Sequence, residues 1–429
     1  MTLTETRDGF DAADHLQRAG VQLELGGHRT DTFTAADLVV TSPGVPLDQP
    51  VFEAARDRGI EIIGELEFAW RFLQARVIAI TGTKGKSTTT TLIGRMLAAA
   101  GKTVLVGGNI GLPLSAQVDQ STPDTVHVVE ASSFQLETTT TFHPWIAVWL
   151  NFAADHLDRH PSVDDYAAAK ARIFANQDEG DWAVLNADDP EVLRRASGTA
   201  ARRALFSLEG FVGDGFVIDG SAVVRRTGTH IDPLIPLGAV ELTGRHMLNN
   251  VLAAAATTHI AGVPASAMVD ALRGFHGLPH AMEPAGTIGG VRFINDSKAT
   301  NIEAARRSIE SFDHGVVAIV GGRYKGGDFG DLREALETRG RAVVAIGEAA
   351  DRVQQALGGT VPVVGAASMT EAVARAYDAA VPDGVVLLAP ACSSFDWFRD
   401  YAERGETFKE EVRRLSRRAA ETTTGGREQ

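Results

Sequence analysis

The chain has 429 residues, 44% of them hydrophobic and 22% charged, the ordinary balance of a globular protein of about two to three domains. Its formal net charge of −14 argues against a nucleic-acid partner, which requires a basic surface. The single cysteine, Cys392, cannot form an internal disulfide, which indicates a reducing compartment. No window has the ~18 apolar residues of a membrane span, and residues 1–10 lack the features of a signal peptide. We therefore predict a cytoplasmic protein.

Short apolar runs alternate with amphipathic stretches in the first part of the chain. The pattern predicts strands at residues 37–40, 77–80, 104–106, 126–129 and 146–150, and helices at residues 51–58 and 88–100. The strands lack polar alternation, as expected for a parallel sheet that is covered on both faces. The strand–helix–strand order predicts an α/β fold.

Two shifts in composition divide the chain into three predicted domains, 1–64, 65–279 and 280–429. Within the second domain, residues 204–238 contain Gly-rich turns and alternating apolar residues, which predict a small β insertion. In the third domain, the pattern predicts strands at residues 316–320, 342–346, 361–364 and 385–389, and helices at residues 370–380 and 401–419.

A loop rich in glycine and lysine joins the strand at residues 77–80 to the helix that follows. Its residues are Gly82, Thr83, Lys84, Gly85, Lys86, Ser87 and Thr88. Glycines let backbone N–H groups turn toward an anion, and the helix N-terminus adds its positive end. Lys86 would reach the outer phosphates of a nucleotide, and the Ser87 hydroxyl would bind Mg²⁺. The alternative is an ordinary turn with solvated lysines. The first glycine lies closer to the lysine than in the common Walker loop.

Acidic and histidine side chains follow two further strands. Glu130 comes directly after the strand at residues 126–129, and Asp155 and His156 follow the strand at residues 146–150. Because the carboxyl ends of parallel strands share one edge of a sheet, these side chains are predicted to lie near the phosphate loop. Glu130 supplies the oxygen ligands that a hard cation prefers. A structural salt bridge is the alternative for Glu130, and His156 alone is more often structural.

A lysine lies among apolar residues on a predicted helix. Ser162 begins this helix with a capping-box pattern, and Tyr166, Lys170, Ile173 and Phe174 share one face at helical spacing. An ammonium group cannot ligate a metal, so Lys170 would have to bind phosphate or become carbamylated to act beside Mg²⁺. From the residues alone, a stem that extends to water is the favoured interpretation.

The motifs occur in the order typical of the Mur ligase family over nearly the whole chain, and the chain resembles that family. They are residues 81–88, 108–111, 130–137, 155–159, 169–170, 244–246 with Asn250, 278–280, 295–301, 321–322 with Lys325, and 390–394.

The resemblance implies a fold and a reaction. The fold is α/β, with a truncated Rossmann-like N-terminal domain, a central P-loop ATPase-like parallel sheet with the small β insertion, and a Rossmann-like C-terminal domain. The reaction is ATP-dependent addition of D-glutamate to UDP-N-acetylmuramoyl-L-alanine through an acyl phosphate. The implied cofactors are ATP, two Mg²⁺ ions and a carbamylated lysine, and the implied protein is a monomer.

The resemblance also implies four groups of functional residues. The catalytic residues are Lys86, His156, Lys170 and Lys298. The ATP-binding residues are Gly82, Thr83, Lys84, Gly85, Lys86, Ser87, Thr88, Asn250 and Asp296. The metal-binding residues are Ser87, Glu130, His156 and carbamylated Lys170. The substrate-binding residues are Thr6, Arg7, Ser42, Gly44, Asn109, Ser132, Lys298, Thr300, Lys325, Ser394 and Tyr401.

The chain departs from the family pattern at three positions. Met247 stands where asparagine is usual, Ala281 where arginine is usual and Tyr401 where phenylalanine is common. The first strand and Gly-rich turn of the family also have no counterpart before Met1, so weak binding of the uridine-linked substrate is expected. The alternatives are a related ligase that uses another amino acid or L-glutamate, and a non-catalytic nucleotide-binding paralogue.

Overall fold

A computed structural model describes residues 1–10, 12–156, 159–210, 213–242, 245–324 and 326–425. The chain forms two compact units, Met1–Phe275 and His276–Gln429. None of the helices in the described ranges combines the length and the apolar character of a membrane-spanning segment.

The first unit begins with four short strands that pair two by two. The strands β1 (Thr2–Glu5) and β2 (Gln22–Leu25) are parallel, and so are β3 (Leu38–Thr41) and β4 (Glu61–Gly64). The helices of this part are α1 (Ala13–Arg18), α2 (Thr30–Thr34) and α3 (Pro50–Asp57). A small core forms where α2 and α3 pack together, with the rings of Phe33 and Phe52 edge to face at 5.3 Å.

A nine-stranded sheet forms the centre of the first unit. Its strands are β5 (Arg76–Thr81), β6 (Thr103–Gly108), β7 (Thr125–Glu130), β8 (Ile146–Trp149), β9 (Trp182–Asn186), β10 (Arg202–Ser207), β11 (Gly215–Asp219), β12 (Ala222–Thr227) and β13 (His230–Pro236). Their spatial order is β13-β12-β11-β10-β9-β8-β5-β7-β6. The strands from β6 to β11 in this order are parallel, which confirms the parallel sheet predicted from the apolar runs.

The predicted β insertion is part of this sheet. Strand β10 pairs in parallel with β9, and β11, β12 and β13 extend the sheet beyond β10. The sequence predicted a small β insertion within the second domain, but short alternating runs do not show which edge of the sheet they join. Their pairing covers the edge of β10, which would otherwise present unpaired N–H and C=O groups.

Helices cover both faces of the central sheet. They are α4 (Glu65–Trp70), α5 (Lys86–Ala99), α6 (Ser133–Leu136), α7 (Val163–Ala171), α8 (Pro190–Arg195), α9 (Arg245–Ile260) and α10 (Ala265–Leu272). Helix α5 packs against α9 and α10, and its Leu92, Ile93 and Met96 are fully buried. This packing fixes the direction in which the N-terminus of α5 points.

The second unit contains a six-stranded sheet of order β14-β15-β19-β16-β17-β18. The strands are β14 (Glu283–Ile288), β15 (Val291–Asn295), β16 (Val316–Gly321), β17 (Gly340–Ile346), β18 (Val363–Ala366) and β19 (Val385–Leu388). The helices are α11 (Ile302–Glu310), α12 (Arg333–Arg339), α13 (Ala350–Leu357), α14 (Met369–Ala380) and α15 (Tyr401–Gly425). Two apolar cores contain residues from alternate positions of the same strands, for example Ala318 in one and Ile319 in the other. The four predicted strands and two predicted helices of this part are confirmed.

A buried carboxylate joins α4 to the segment that precedes β8. Glu67 is fully buried and accepts hydrogen bonds from the N–H groups of Thr140, Thr141 and Phe142 at 3.0, 3.0 and 2.9 Å and from Arg71 Nε at 3.0 Å. Burial alone would raise the pKa of Glu67, but the hydrogen bonds from Thr141, Thr140 and Arg71 outweigh it and lower the pKa to about 2. The folded chain therefore stabilises the charged form of this side chain.

We expect Glu67→Gln to lower the free energy of unfolding at neutral pH by roughly 3 kcal/mol, because it leaves several buried donors without a charged acceptor. The folded pKa lies below the unfolded value of ~4.3. The charge therefore stabilises the fold fully above that value, and this contribution is lost as the pH falls toward the folded pKa of about 2. Urea unfolding should show that the difference in the free energy of unfolding between variant and wild type is smaller at about pH 3 than at neutral pH.

Glu61→Gln is the matched control, because Glu61 contacts the same Arg71 but its side chain is 45% exposed. We expect it to cost less than about 1 kcal/mol. A Glu67→Gln effect that is no larger than the control, or that is unchanged at about pH 3, would contradict this account.

Candidate active site

The phosphate loop leaves the carboxyl end of β5 and enters α5 through two glycines with positive φ. Gly82 has φ of 150° and Gly85 has φ of 82°, conformations that residues with a Cβ rarely adopt. A Cβ at Gly85 would lie 2.2 Å from Asn250 Oδ1. The structure thus packs Asn250, predicted from the motif in α9 to bind ATP, directly against the loop.

The N-terminus of α5 is suited to an anion. Its N-cap is Gly85, which has no side chain that could cap the first N–H groups. Lys86 folds back onto the loop, where its Nζ donates to the carbonyl oxygens of Gly82 and Thr83 at 3.0 and 3.1 Å. Backbone N–H groups at a helix N-terminus, beside a lysine, form an arrangement that binds phosphate. Ser87 and Thr88 lie in the first turn of the same helix.

Asn151 holds the loop in place, and the sequence analysis missed it. Its Oδ1 accepts from the N–H groups of Thr83 and Lys84 at 3.1 and 2.8 Å, and its Nδ2 donates to the carbonyl oxygen of Lys84 at 3.0 Å. The available signal was its position two residues after the end of β8, where a polar side chain meets the edge that carries the loop. Asn151 therefore positions the two residues that precede Gly85.

Glu130 ends β7 and pairs with Ile80 of β5, close to the strand end from which the loop leaves. Its side chain is 2% exposed, and its Oε1 accepts a hydrogen bond from Asn109 Nδ2 at 2.6 Å. Its Oε2 is buried and has no hydrogen-bond partner among the described residues. A buried, unpaired carboxylate oxygen is costly unless a cation binds it. The residues therefore fit a hard divalent cation, and the structure brings the predicted substrate residue Asn109 to the predicted metal ligand.

Lys170 is buried in α7, so the interpretation that its stem extends to water is wrong. The residue is 2% exposed, its Nζ donates to the carbonyl oxygen of Gly82 at 2.9 Å, and its Nζ lies 4.6 Å from the centre of the Tyr166 ring. The Ser162 cap and the apolar face predicted for this helix are confirmed. Burial and the nearby charge of Lys86 hold the pKa of Lys170 well below its usual value, although Asp155 and Glu130 act in the opposite direction.

His156 lies in the segment after β8 and has φ of 55°, an unusual conformation for a residue other than glycine. Its side chain is 47% exposed, and its N–H donates to Asp155 Oδ1 at 3.0 Å. The centre of its ring is 5.0 Å from that of Phe134 and 6.1 Å from that of Tyr166. Strained conformations of this kind concentrate at functional sites. The sequence analysis did not assign a role to Phe134, which no polar pattern marks.

The remaining predicted residues of the first unit lie at three places. Ser132 caps the short helix α6, since its Oγ accepts from Gln135 N at 3.2 Å. Thr6 and Arg7 follow β1, whereas Ser42 and Gly44 follow β3 of the other two-stranded sheet. Their predicted contacts with substrate stay predictions.

In the second unit, the predicted residues follow β15 and β19. Asp296 is 7% exposed; its Oδ1 accepts from Met282 N at 3.1 Å, and its Oδ2 accepts from the Ser308 hydroxyl. Burial raises the pKa of Asp296, although these hydrogen bonds oppose the shift. Lys298 is exposed and Thr300 is half-buried, and the N–H of Thr300 donates to the carbonyl oxygen of Lys298 at 2.8 Å.

Ser394 and Tyr401 lie beyond β19, and a buried arginine links this segment to the end of β15. Arg404 is 1% exposed; its Nε donates to Ser297 Oγ at 2.9 Å and its Nη1 to the carbonyl oxygen of Cys392 at 3.1 Å. The Ser297 hydroxyl donates in turn to the carbonyl oxygen of Tyr401 at 2.7 Å. Arg404 escaped the sequence analysis because it is one of many arginines on a charged helix. Lys325 lies outside the described residues.

Comparison with known families covers most of the chain. Residues 1–64 match the Mur ligase MurD-like N-terminal domain, residues 80–258 match the Mur ligase middle domain, and residues 282–392 match the Mur ligase, glutamate ligase domain. The UDP-N-acetylmuramoylalanine–D-glutamate ligase of Acidobacterium capsulatum is 48% identical over 92% of this chain and 86% of the relative. The protein of the same name from Pelotomaculum thermopropionicum is 42% identical over 94% of this chain and 89% of the relative.

Solved structures share the fold at low sequence identity. The pseudomurein peptide ligase type C of Methanothermus fervidus has a TM-score of 0.56 and 17% identity, covering 97% of this chain and 94% of the other. The UDP-N-acetylmuramate–alanine ligase of Thermotoga maritima has a TM-score of 0.56 and 18% identity, covering 96% and 93%. From the domain matches and the curated relatives, the chain belongs to the Mur ligase family.

Proposed function

We propose that this protein is an ATP-dependent ligase that joins D-glutamate to UDP-N-acetylmuramoyl-L-alanine in the synthesis of peptidoglycan precursors. The observation that carries the chemistry is the buried Oε2 of Glu130, which has no hydrogen-bond partner among the residues that the structure describes and whose residue pairs with Ile80 of β5, just before the phosphate loop. The substrate assignment is supported by relatives named for this reaction, which are 42–48% identical over most of the chain.

In the first step, an oxygen of the substrate carboxylate attacks the γ-phosphorus of ATP. The bond from that phosphorus to the bridging oxygen breaks, ADP leaves and an acyl phosphate forms. Lys86 and the N–H groups at the N-terminus of α5 would bind the phosphate oxygens. Ser87 and Glu130 would hold Mg²⁺, which would offset the negative charge of the reacting groups. Because both reactants are anionic, this step depends mainly on positioning and charge stabilisation.

In the second step, the amine of D-glutamate attacks the acyl carbon, loses a proton, and inorganic phosphate leaves. Lys298, Lys325, Thr300 and Ser394 would supply two cations and two hydroxyls for an amino acid with two carboxylates. Asp296 would contact the nucleotide, and Tyr401 would line the glutamate pocket. The residues that bind glutamate thus belong to the predicted domain 280–429.

The other assignments complete the proposal. His156 and a carbamate on Lys170 would hold a second Mg²⁺, and Asn109 and Ser132 would contact the muramoyl group. The domain 1–64, with Thr6, Arg7, Ser42 and Gly44, would bind the uridine nucleotide, and the domain 65–279 would bind ATP. The enzyme would act as a cytoplasmic monomer on small molecules, without a nucleic-acid partner.

The proposal predicts which amino acid supports turnover. With ATP, Mg²⁺ and UDP-N-acetylmuramoyl-L-alanine present, D-glutamate should support phosphate release about 10²-fold or more better than D-alanine or L-lysine. The reason is that the predicted pocket offers a cation for each carboxylate, and an amino acid with one carboxylate leaves one of them unpaired. Phosphate release measured for each amino acid tests the assignment.

Lys86→Ala supplies the control for nucleotide chemistry. It should lower kcat roughly 10²–10³-fold without unfolding the chain, since Lys86 is predicted to act on phosphate and not in packing. A preference for a diamino acid would identify a related ligase with another substrate. Release that needs no amino acid in the wild type would contradict the ligase assignment altogether.

The carbamate predicts a covalent adduct at Lys170. A lysine attacks CO₂ only as the neutral amine, losing a proton as the N–C bond forms, and burial favours that neutral form. We expect ¹³C NMR of wild type in labelled bicarbonate to show a carbamate signal that Lys170→Ala lacks. The same variant should lose roughly 10²-fold in kcat.

Lys102→Ala is the matched control, because Lys102 is exposed just beyond α5. It should keep both the carbamate signal and the activity. An identical signal in Lys170→Ala, or near-normal turnover by that variant, would refute the carbamate.

A further inference from the structure

Arg159 bridges two parts of the first unit that lie far apart in the chain. Its Nη2 donates to the carbonyl oxygen of Val45 at 2.7 Å and to Glu137 Oε1 at 3.3 Å. Its guanidinium carbon lies 5.4 Å from the centre of the Phe134 ring. The side chain is 20% exposed, so these contacts are made largely out of water, where they are stronger than on an open surface.

Val45 belongs to the segment 42–47, here called the substrate loop, which contains the predicted substrate residues Ser42 and Gly44. The loop follows β3 and turns at Gly44, whose φ is 88°. The N–H of Val45 donates to the carbonyl oxygen of Ser42 at 3.3 Å. Arg159 therefore holds a backbone carbonyl inside the turn that is predicted to receive the uridine-linked substrate.

The backbone of Arg159 contacts the predicted metal ligand, His156. The N–H groups of Arg159 and His160 both donate to the carbonyl oxygen of His156, at 3.0 and 2.9 Å. The same Phe134 ring that lies under Arg159 also contacts the rings of His156 and His160, with centres 5.0 and 5.3 Å away. A shift of the Arg159 guanidinium therefore changes the packing against His156 through one shared ring.

We propose that Arg159 is a positioning residue that couples the substrate loop to His156, so that binding at either place tightens binding at the other. The inference rests on the proposed function for the identity of the two ligands. Coupling of this kind is reciprocal: if metal bound at His156 favours one position of Arg159, substrate bound at the loop must favour metal binding by the same factor. The planar guanidinium suits this role because one group serves the carbonyl, the carboxylate and the ring together.

Hydrogen exchange of the substrate loop tests the coupling without turnover and without the uridine-linked substrate. In wild type, adding Mn²⁺ with a non-hydrolysable ATP analogue should slow exchange of the loop amides. Arg159→Ala should lose this protection, and Arg159→Lys should keep only part of it, because a lysine cannot serve the three partners at once. The reverse direction is tested by the dissociation constant of Mn²⁺. Addition of UDP-N-acetylmuramoyl-L-alanine should lower this constant about fivefold or more in wild type, and less than about twofold in Arg159→Ala.

Arg202→Ala is the matched control. Arg202 also donates to a carbonyl oxygen, that of Gly180 at 2.8 Å, and lies over an aromatic ring, that of Trp182 at 4.6 Å, but on β10. It should behave as wild type in both experiments. Absence of loop protection in wild type, retention of coupling in Arg159→Ala and Arg159→Lys, or equal loss in Arg202→Ala would overturn the inference. Failure of the proposed function is distinguishable, because it appears as missing D-glutamate-dependent phosphate release while the exchange experiment still reports the coupling.

Discussion

The register of β5 against its two neighbours is the constraint on which the candidate active site depends. Ile80 pairs with Glu130 of β7, and Thr81 pairs with Trp149 of β8. Because the strands are parallel, the chain leaves all three at one edge, and the phosphate loop, Glu130 and Asn151 converge there. A slip of one residue would turn Glu130 to the other face of the sheet. The buried apolar strands and the packing of α5 therefore determine the geometry of the site.

Electrostatics explains why the site requires ligands. Lys86 and Lys170 both donate to the carbonyl oxygen of Gly82, and Lys170 is nearly inaccessible to water. Burial lowers the pKa of Lys170, and the positive charge of Lys86 at the same carbonyl oxygen lowers it further. Glu130, in turn, keeps one oxygen without a partner among the described residues. A polyphosphate with a divalent cation fits this arrangement, since the phosphate would pair with Lys86 and the cation with Glu130. Conversion of Lys170 to the proposed carbamate would remove the second positive charge.

The sequence predicted the parts of this arrangement that local patterns encode. The glycines and lysines of the loop, the carboxylate after an apolar strand and the capped helix that carries Lys170 each leave a short-range signal. It could not predict that Lys170 is buried, because a lysine on an apolar face has the same pattern whether its amine reaches water or not. Arg159 and Asn151 act through contacts with residues far away in the chain, which no local spacing reveals. Likewise, the pairing of β10 with β9 depends on which edge of the central sheet is open. The alternation of apolar residues along the chain does not show which edge this is.

In the proposed reaction, the phosphate loop and Glu130 direct transfer of the γ-phosphoryl group to a carboxylate and not to water. The most direct measurement uses UDP-N-acetylmuramoyl-L-alanine in which both oxygens of the terminal carboxylate are ¹⁸O, with ATP, Mg²⁺ and D-glutamate. If an acyl phosphate forms, the oxygen that attacks phosphorus stays on it when the amine displaces phosphate. The account therefore predicts one ¹⁸O atom in each phosphate released. Unlabelled phosphate would show that water is the acceptor, and it would contradict the account.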